Sequence, residues 1–141
     1  FRDRIIRLGT YGDPAVVPLH IWNKLLKHAK GNTGYTHQWK KKRIAGLAKY
    51  CMASTDTPEE TVNAWNNGWR TFRVDGKSPR GGAINTRRVQ ETLCPASEEA
   101  GKILTCSTCL ACGGGDRRGS IYIPAHGPAP VMKNMRERYA N

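Results

Sequence analysis

The sequence predicts an α/β fold, a mainly parallel sheet of about five strands joined by βαβ crossovers. Three observations carry that expectation. Short β-branched runs recur along the chain, segments with helical spacing fall between them, and Gly, Pro, Asn or Asp turns separate the two kinds. Strands that alternate with helices lie side by side and point the same way, because each helix carries the chain back across the sheet.

Ile5-Ile6-Arg7-Leu8-Gly9 reads as a buried strand closed by the turn Thr10-Tyr11-Gly12-Asp13-Pro14. Pro18 suits a helix start, and Ile21, Trp22, Leu25, Leu26 and Ala29 keep helical spacing until Gly31 stops it. Asn32-Thr33-Gly34 reads as a loop and Tyr35 to Trp39 as a second strand. Lys40 to Ala48 reads as a strongly basic helix, and Lys49 to Ser54 as a third strand. Thr55 to Glu60 is a helix start, with a capping residue, an early Pro58 and the acids Glu59 and Glu60; the helix runs to Gly68. Trp69 to Val74 is a fourth strand. Lys77 to Arg88 is a Gly-, Pro- and Arg-rich loop, Gly119 to Pro124 a fifth strand, and the tail after Pro130 a short helix. At 141 residues the chain is expected to form a single α/β domain over 1–141, with 94–115 as an inserted segment.

That segment runs from Cys94 to Gly115. Cys94, Cys106, Cys109 and Cys112 fall within nineteen residues, the last three as C-x2-C-x2-C. Four thiolates suit zinc or an iron–sulfur cluster. Structural zinc usually takes two separated C-x2-4-C knuckles, whereas one uninterrupted run wraps successive corners of a cube, so the spacing favours [4Fe-4S], with zinc as the alternative. Small residues (Ser107, Thr108, Ala111 and Gly113 to Gly115) let the backbone approach such a centre. Disulfides are the third possibility, argued against by the odd thiol Cys51, which sits in an apolar run as a small buried hydrophobe, and by the lack of a signal peptide pattern.

Net charge is +12 with a pI near 9.9. The cations cluster at Lys40-Lys41-Lys42-Arg43, Arg87-Arg88, Arg117-Arg118 and Lys133/Arg136/Arg138. A basic excess of this size attracts polyanions through phosphate neutralisation, and nucleic acid is the expected partner. Trp39, beside the first cluster, is the candidate for base stacking, whereas Trp22 and Trp65 fit helix core faces. No apolar run approaches the roughly 18 residues of a membrane span, so no membrane partner and a cytoplasmic location are expected.

In a parallel sheet the ligand site lies beyond the carboxyl ends of the strands. That selects Asp13, His37, Gln38, Ser54, Asp56, Arg73, Asp75 and His126, of which Asp13, His37, Asp56 and His126 are the candidate catalytic groups. Each has a plainer role open to it: Asp before Pro makes turns, His37 suits a hydrogen-bonded strand histidine, and Asp56 suits a helix cap. Zinc deaminase chemistry needs His-x-Glu followed by Pro-Cys-x-x-Cys, and neither occurs here.

The chain resembles a family of phage and prophage proteins in its Gly12-Asp13, Tyr35-Thr36-His37-Gln38-Trp39, Ala53-Ser54-Thr55-Asp56, Cys94-Pro95 and Cys106/Cys109/Cys112 elements. The match runs from Arg7 to Gly127, and the cysteine block is its most specific part. Related phage proteins, those called gene product 88 among them, are similar to cut-down radical-SAM barrels. The resemblance implies a partial β/α barrel with an iron–sulfur centre near the strand ends. A radical-SAM enzyme also needs C-x3-C-x2-C near its start, and Phe1 to Tyr50 contains no cysteine. The chain opens on Phe1, so a processed product or fragment is expected, and such a motif would have to lie upstream. The leading expectation is a phage-type [4Fe-4S] protein that binds nucleic acid. The alternatives are a radical-SAM-like enzyme using Asp13, His37 and Asp56 on a small substrate, and a zinc-stabilised interaction module.

Overall fold

Six parallel strands form one sheet in the order β1-β2-β3-β4-β6-β5. The strands are β1 (Ile5–Leu8), β2 (Gly31–Thr36), β3 (Met52–Thr55), β4 (Thr71–Asp75), β5 (Glu91–Leu93) and β6 (Ser120–Pro124). The helices with defined bounds are α1 (Leu19–Leu26), α2 (Pro58–Asn66) and the single turn α3 (Cys106–Cys109), and the described residues 130, 132–134 and 137 of the tail are helical as expected. Two 3-10 segments, Pro14–Val16 and Lys42–Lys49, complete the connections. This computed structural model describes residues 1–76, 82–115, 117–125, 127–128, 130, 132–134 and 137. The α/β expectation holds, with six strands for about five and all of them parallel. Among the described residues no helix is long and apolar enough to cross a membrane.

The first four strands are neighbours in chain order, and the connections between them cover one face of the sheet. Strand side chains alternate between faces. Leu8 and Ala53 therefore meet Leu26 of α1, Ile44 and Leu47 of the basic 3-10 segment, Ala64 of α2, and the buried Trp39, Cys51 and Trp69. Burying side chains such as Leu8 and Leu47 contributes about 1.5–3 kcal/mol each, before the entropy of ordering them. Trp39 is 4 % exposed and its indole N–H donates to the Ser54 carbonyl at 3.1 Å. Its ring belongs to the core, which overturns its reading as a platform for bases.

Local chemistry explains where each element departs from expectation. Gly31 does not merely end α1; it opens β2, whose sequence Gly-Asn-Thr-Gly-Tyr-Thr has little intrinsic strand preference. Close packing selects it, since a Cβ on Gly34 would stand 2.9 Å from both the Cys51 sulfur and Leu8 Cβ. Lys42–Lys49 adopts the tighter 3-10 form, in which residues three apart eclipse and Ile44 and Leu47 point together into the core. The N-cap of α2 is Thr57, whose hydroxyl accepts from the Glu60 N–H at 3.1 Å, with Pro58 in the first turn. Asp56 lies one residue outside and is not the cap; its backbone N–H donates to Glu60.

Beyond α2, a buried ion network joins β4 to β5. The Arg73 guanidinium donates to Glu91 at 2.7 and 3.0 Å and lies 3.6 Å from Asp75. Glu91 also accepts from Ile84 N–H and Asp75 from Gly82 N–H, so the 82–84 segment is tied down onto this face. Burial works against the Arg73 charge, but hydrogen bonding and attraction to Glu91 and then Asp75 prevail and hold it charged. Arg73 and Asp75, at a strand end as the sequence indicated, are closed into structure.

The Cys51 thiol, fully buried, is pushed up to about 12, first by burial and then by the charge of Asp13. The folded state thus keeps this proton after the unfolded chain, with a thiol near the ordinary 9.0, has lost it. The contribution is intact below pH 9 and is lost as pH rises toward 12. In urea unfolding of the reduced protein, raising pH from 8 to 10.5 should cost the parent about 2 kcal/mol more than it costs Cys51→Ala.

Candidate metal centre

The connection from β5 to β6 packs on the other face of the sheet, and it carries all four clustered cysteines. Met52 of β3, Ile121 of β6, Ala111 and Cys112 form its buried apolar centre, with Tyr35, Phe72, Cys94 and Cys109 packed around them. Cys94 directly follows β5, and its N–H donates to the Tyr122 carbonyl at 3.0 Å, which fixes it to the sheet. A capping box between Thr105 and Thr108 starts α3, placing Cys106 and Cys109 three residues apart on one side of a single turn. Leu110 then takes the left-handed conformation, φ 52°, and reverses the chain. The reversal brings Cys112 back over β2, where its carbonyl accepts from Gly34 N–H at 3.1 Å.

The outcome is one small cavity of about 20 Å³ lined by Cys94, Cys106, Cys109 and Cys112, together with Thr33, Tyr35 and Ile121. All five cysteines of the chain are free thiols. Cys106 is exposed, Cys94 and Cys109 are half-buried, and Cys112 is buried. Burial raises the Cys112 thiol to about 11; a Tyr35 hydroxyl bond pulls it down, and the charges of Cys94, Cys106 and Cys109 push it up. Burial likewise raises Cys94, against which the backbone N–H groups of Ala96 and Ser97 donate to its sulfur, while Cys106 and Cys109 raise it further. Tyr35 is raised by burial first and then by its neighbours Cys112 and Cys106. Each sulfur is therefore within electrostatic reach of others in the set. Among the described residues, however, no three His, Cys, Asp or Glu side chains form a group that could hold a single metal ion. The four cysteines line a shared space.

Two arginines hold this segment. Arg70, 8 % exposed, donates to the carbonyls of Ala111, Gly114 and Gly119 at 2.9, 3.0 and 2.6 Å. Arg118 donates to the carbonyls of Cys109 and Leu110 at 2.7 and 2.8 Å. Gly114, φ +86°, passes so close to the backbone before β3 that a Cβ would lie 2.6 Å from Ala48 O and Cys51 N. Neither Arg70 nor Tyr35 was singled out as a site residue from sequence; alternation along the Tyr35 strand was the one available signal for the tyrosine, and Arg70 had none.

The cavity lies over the sheet face, against Ile121 and Met52 near the starts of their strands, and not beyond the carboxyl ends as expected. The strand-end candidates do not join it. Asp13 is tied into the structure through both oxygens: one accepts from Ala15 N–H and the Thr36 hydroxyl, the other from His37 N–H at 2.9 Å. His37 and Asp56 are exposed, beside a Lys40–Glu60 ion pair of 2.6 Å. His126 lies outside the described residues, as do Arg136 and Arg138 of the basic tail.

The basic residues divide between two places. Arg87, Arg88, Arg117 and Arg118 precede β5 and β6 and so stand at the amino end of the sheet, whereas Lys40, Lys41, Lys42 and Arg43 follow β2 at the carboxyl end. All eight are exposed, but Arg118 spends donors on the cysteine segment and Lys40 on Glu60. Compared with family models, curated proteins and solved structures, the chain gives no match.

Replacing Arg70 by Met keeps much of its bulk and strands three carbonyls in the interior. Urea unfolding should show a loss of about 2–4 kcal/mol, with the segment 110–119 losing amide-exchange protection before the sheet does.

Proposed function

We propose that this chain is a [4Fe-4S] cluster protein of the phage type, with Cys94, Cys106, Cys109 and Cys112 as ligands, and that it binds nucleic acid through the arginines at the amino end of its sheet. The observation that carries the first part is the convergence of the four thiols on one cavity. The donor set is soft and all-sulfur, which fits iron–sulfur or zinc. A zinc ion needs every sulfur about 2.3 Å from a single point, while a cube gives each sulfur its own iron. The uninterrupted C-x2-C-x2-C run favours the cube. Hydrogen bonds to the sulfurs of Cys94 and Cys112 from Ala96, Ser97 and Tyr35 are of the kind that tune such a centre.

When bound, the cluster would supply one-electron transfer. The chain's own residues do the rest: Arg70 and Arg118 fix the ligand-bearing backbone, Met52 and Ile121 keep water from the Cys112 side, and Cys106 is left facing solvent.

Reconstitution with iron and sulfide under anaerobic conditions should give a brown protein with about four irons and four sulfides per chain. Cys112→Ser should lower retained iron at least severalfold, whereas Cys51→Ser should leave it unchanged. A colourless protein holding one zinc would replace this reading with the interaction module. For the second part, affinity for single-stranded DNA should fall as salt rises. Removing Arg87, Arg88 and Arg117 together should lower the slope of log affinity against log salt by about 2. A salt-independent affinity would sink it.

A further inference from the structure

A second cavity, of about 320 Å³, opens on the helix-bearing side at the carboxyl ends of β1 and β2. Asp13, Ala15, Val16, Gln38, Lys41 and Arg43 line it. No cysteine takes part, so whatever it holds is independent of the sulfur-lined cavity.

Its charges are arranged for an anion. Among the described residues neither Lys41 nor Arg43 enters an ion pair, whereas Lys40 beside them is answered by Glu60 at 2.6 Å. Two cations without a carboxylate partner therefore face one concave space. A guanidinium offers a fork of donors and an ammonium a compact charge, the pair of groups that commonly hold a phosphate. Asp13 also lines this space, held still by Ala15, Thr36 and His37, with acceptor capacity left over for a hydroxyl. Gln38 adds an amide donor and acceptor. Phosphate and hydroxyl recognition within one cavity describe a nucleotide.

We propose that this cavity binds a nucleotide by its phosphate monoester, with Lys41 and Arg43 on the phosphate and Asp13 and Gln38 toward the sugar hydroxyls. The site goes beyond the arginine surface proposed above, lies at the other end of the sheet, and takes a free nucleotide or the 5′-phosphorylated end of a strand by the same chemistry.

Calorimetry on the full chain with adenosine 5′-monophosphate and with adenosine tests it. The monophosphate should bind at least tenfold more tightly than the nucleoside. Lys41→Ala and Arg43→Ala should each weaken it three- to tenfold, and Lys40→Ala should leave it nearly unchanged. A matched pair of oligonucleotides, one with a 5′-phosphate and one with a 5′-hydroxyl, separates the sources. A preference for the phosphorylated strand assigns the strand end, and a preference confined to the mononucleotide assigns the free ligand. Equal binding of monophosphate and nucleoside, no binding of either, or full affinity in the Lys41→Ala/Arg43→Ala double variant would overturn the proposal. The arginine surface fails separately: Arg87→Ala/Arg88→Ala should weaken both oligonucleotides and leave adenosine 5′-monophosphate binding intact.

Discussion

The seating of the β5–β6 connection on the sheet depends on one buried guanidinium. Among the described residues between Leu110 and Gly119 no helix or strand satisfies the carbonyls, yet the segment must lie against apolar side chains, where an unpaired carbonyl is costly. Arg70 meets three of those carbonyls from just before β4. Because a guanidinium is planar and always charged, it holds the carbonyls in a fixed relation to one another. The position of Cys112, and with it the shape of the sulfur-lined cavity, follows from that clamp and from glycines that let the segment come within van der Waals reach of β2 and β3.

The two faces of the sheet are closed by different means. Helical connections bury Leu8, Ala53 and their neighbours conventionally on one side, as far as β4. Beyond it the Arg73–Glu91–Asp75 network takes over, linking β4 across β6 to the edge strand β5. The other side is left to a segment with little regular structure, held by arginines and glycines. Concentrating the cysteines there puts four ionisable sulfurs beside an apolar floor, and the raised Cys94 and Cys112 thiols register that cost.

Much of this was legible in the residues. The alternation of β1, α1, β3, α2, β4 and β6 could be read because each run follows its own hydrophobic period and is punctuated by Pro, Gly or a capping Thr. β2 was displaced by several residues because two glycines and an asparagine mask a strand chosen by tertiary packing. β5 is three residues long, too short for any period, and its buried Glu91 reads as surface until its partner is known. The cysteine spacing indicated which thiols gather; it could not indicate that they gather over the sheet face, since the backbone reversal at Leu110 is made by a residue with no preference for the left-handed region. Trp39 misled because its basic neighbours face solvent while its ring, one position away, faces the core.

Among the described residues the sheet does not close, and β1 leaves one side of its backbone without a neighbouring strand. Such a rim is an invitation for another strand to add, the first step toward aggregation. Arg4 and Arg7 stand exposed beside it, so two copies meeting there would bring like charges together. The half-open border thus carries a charge that opposes its pairing with a second copy of itself.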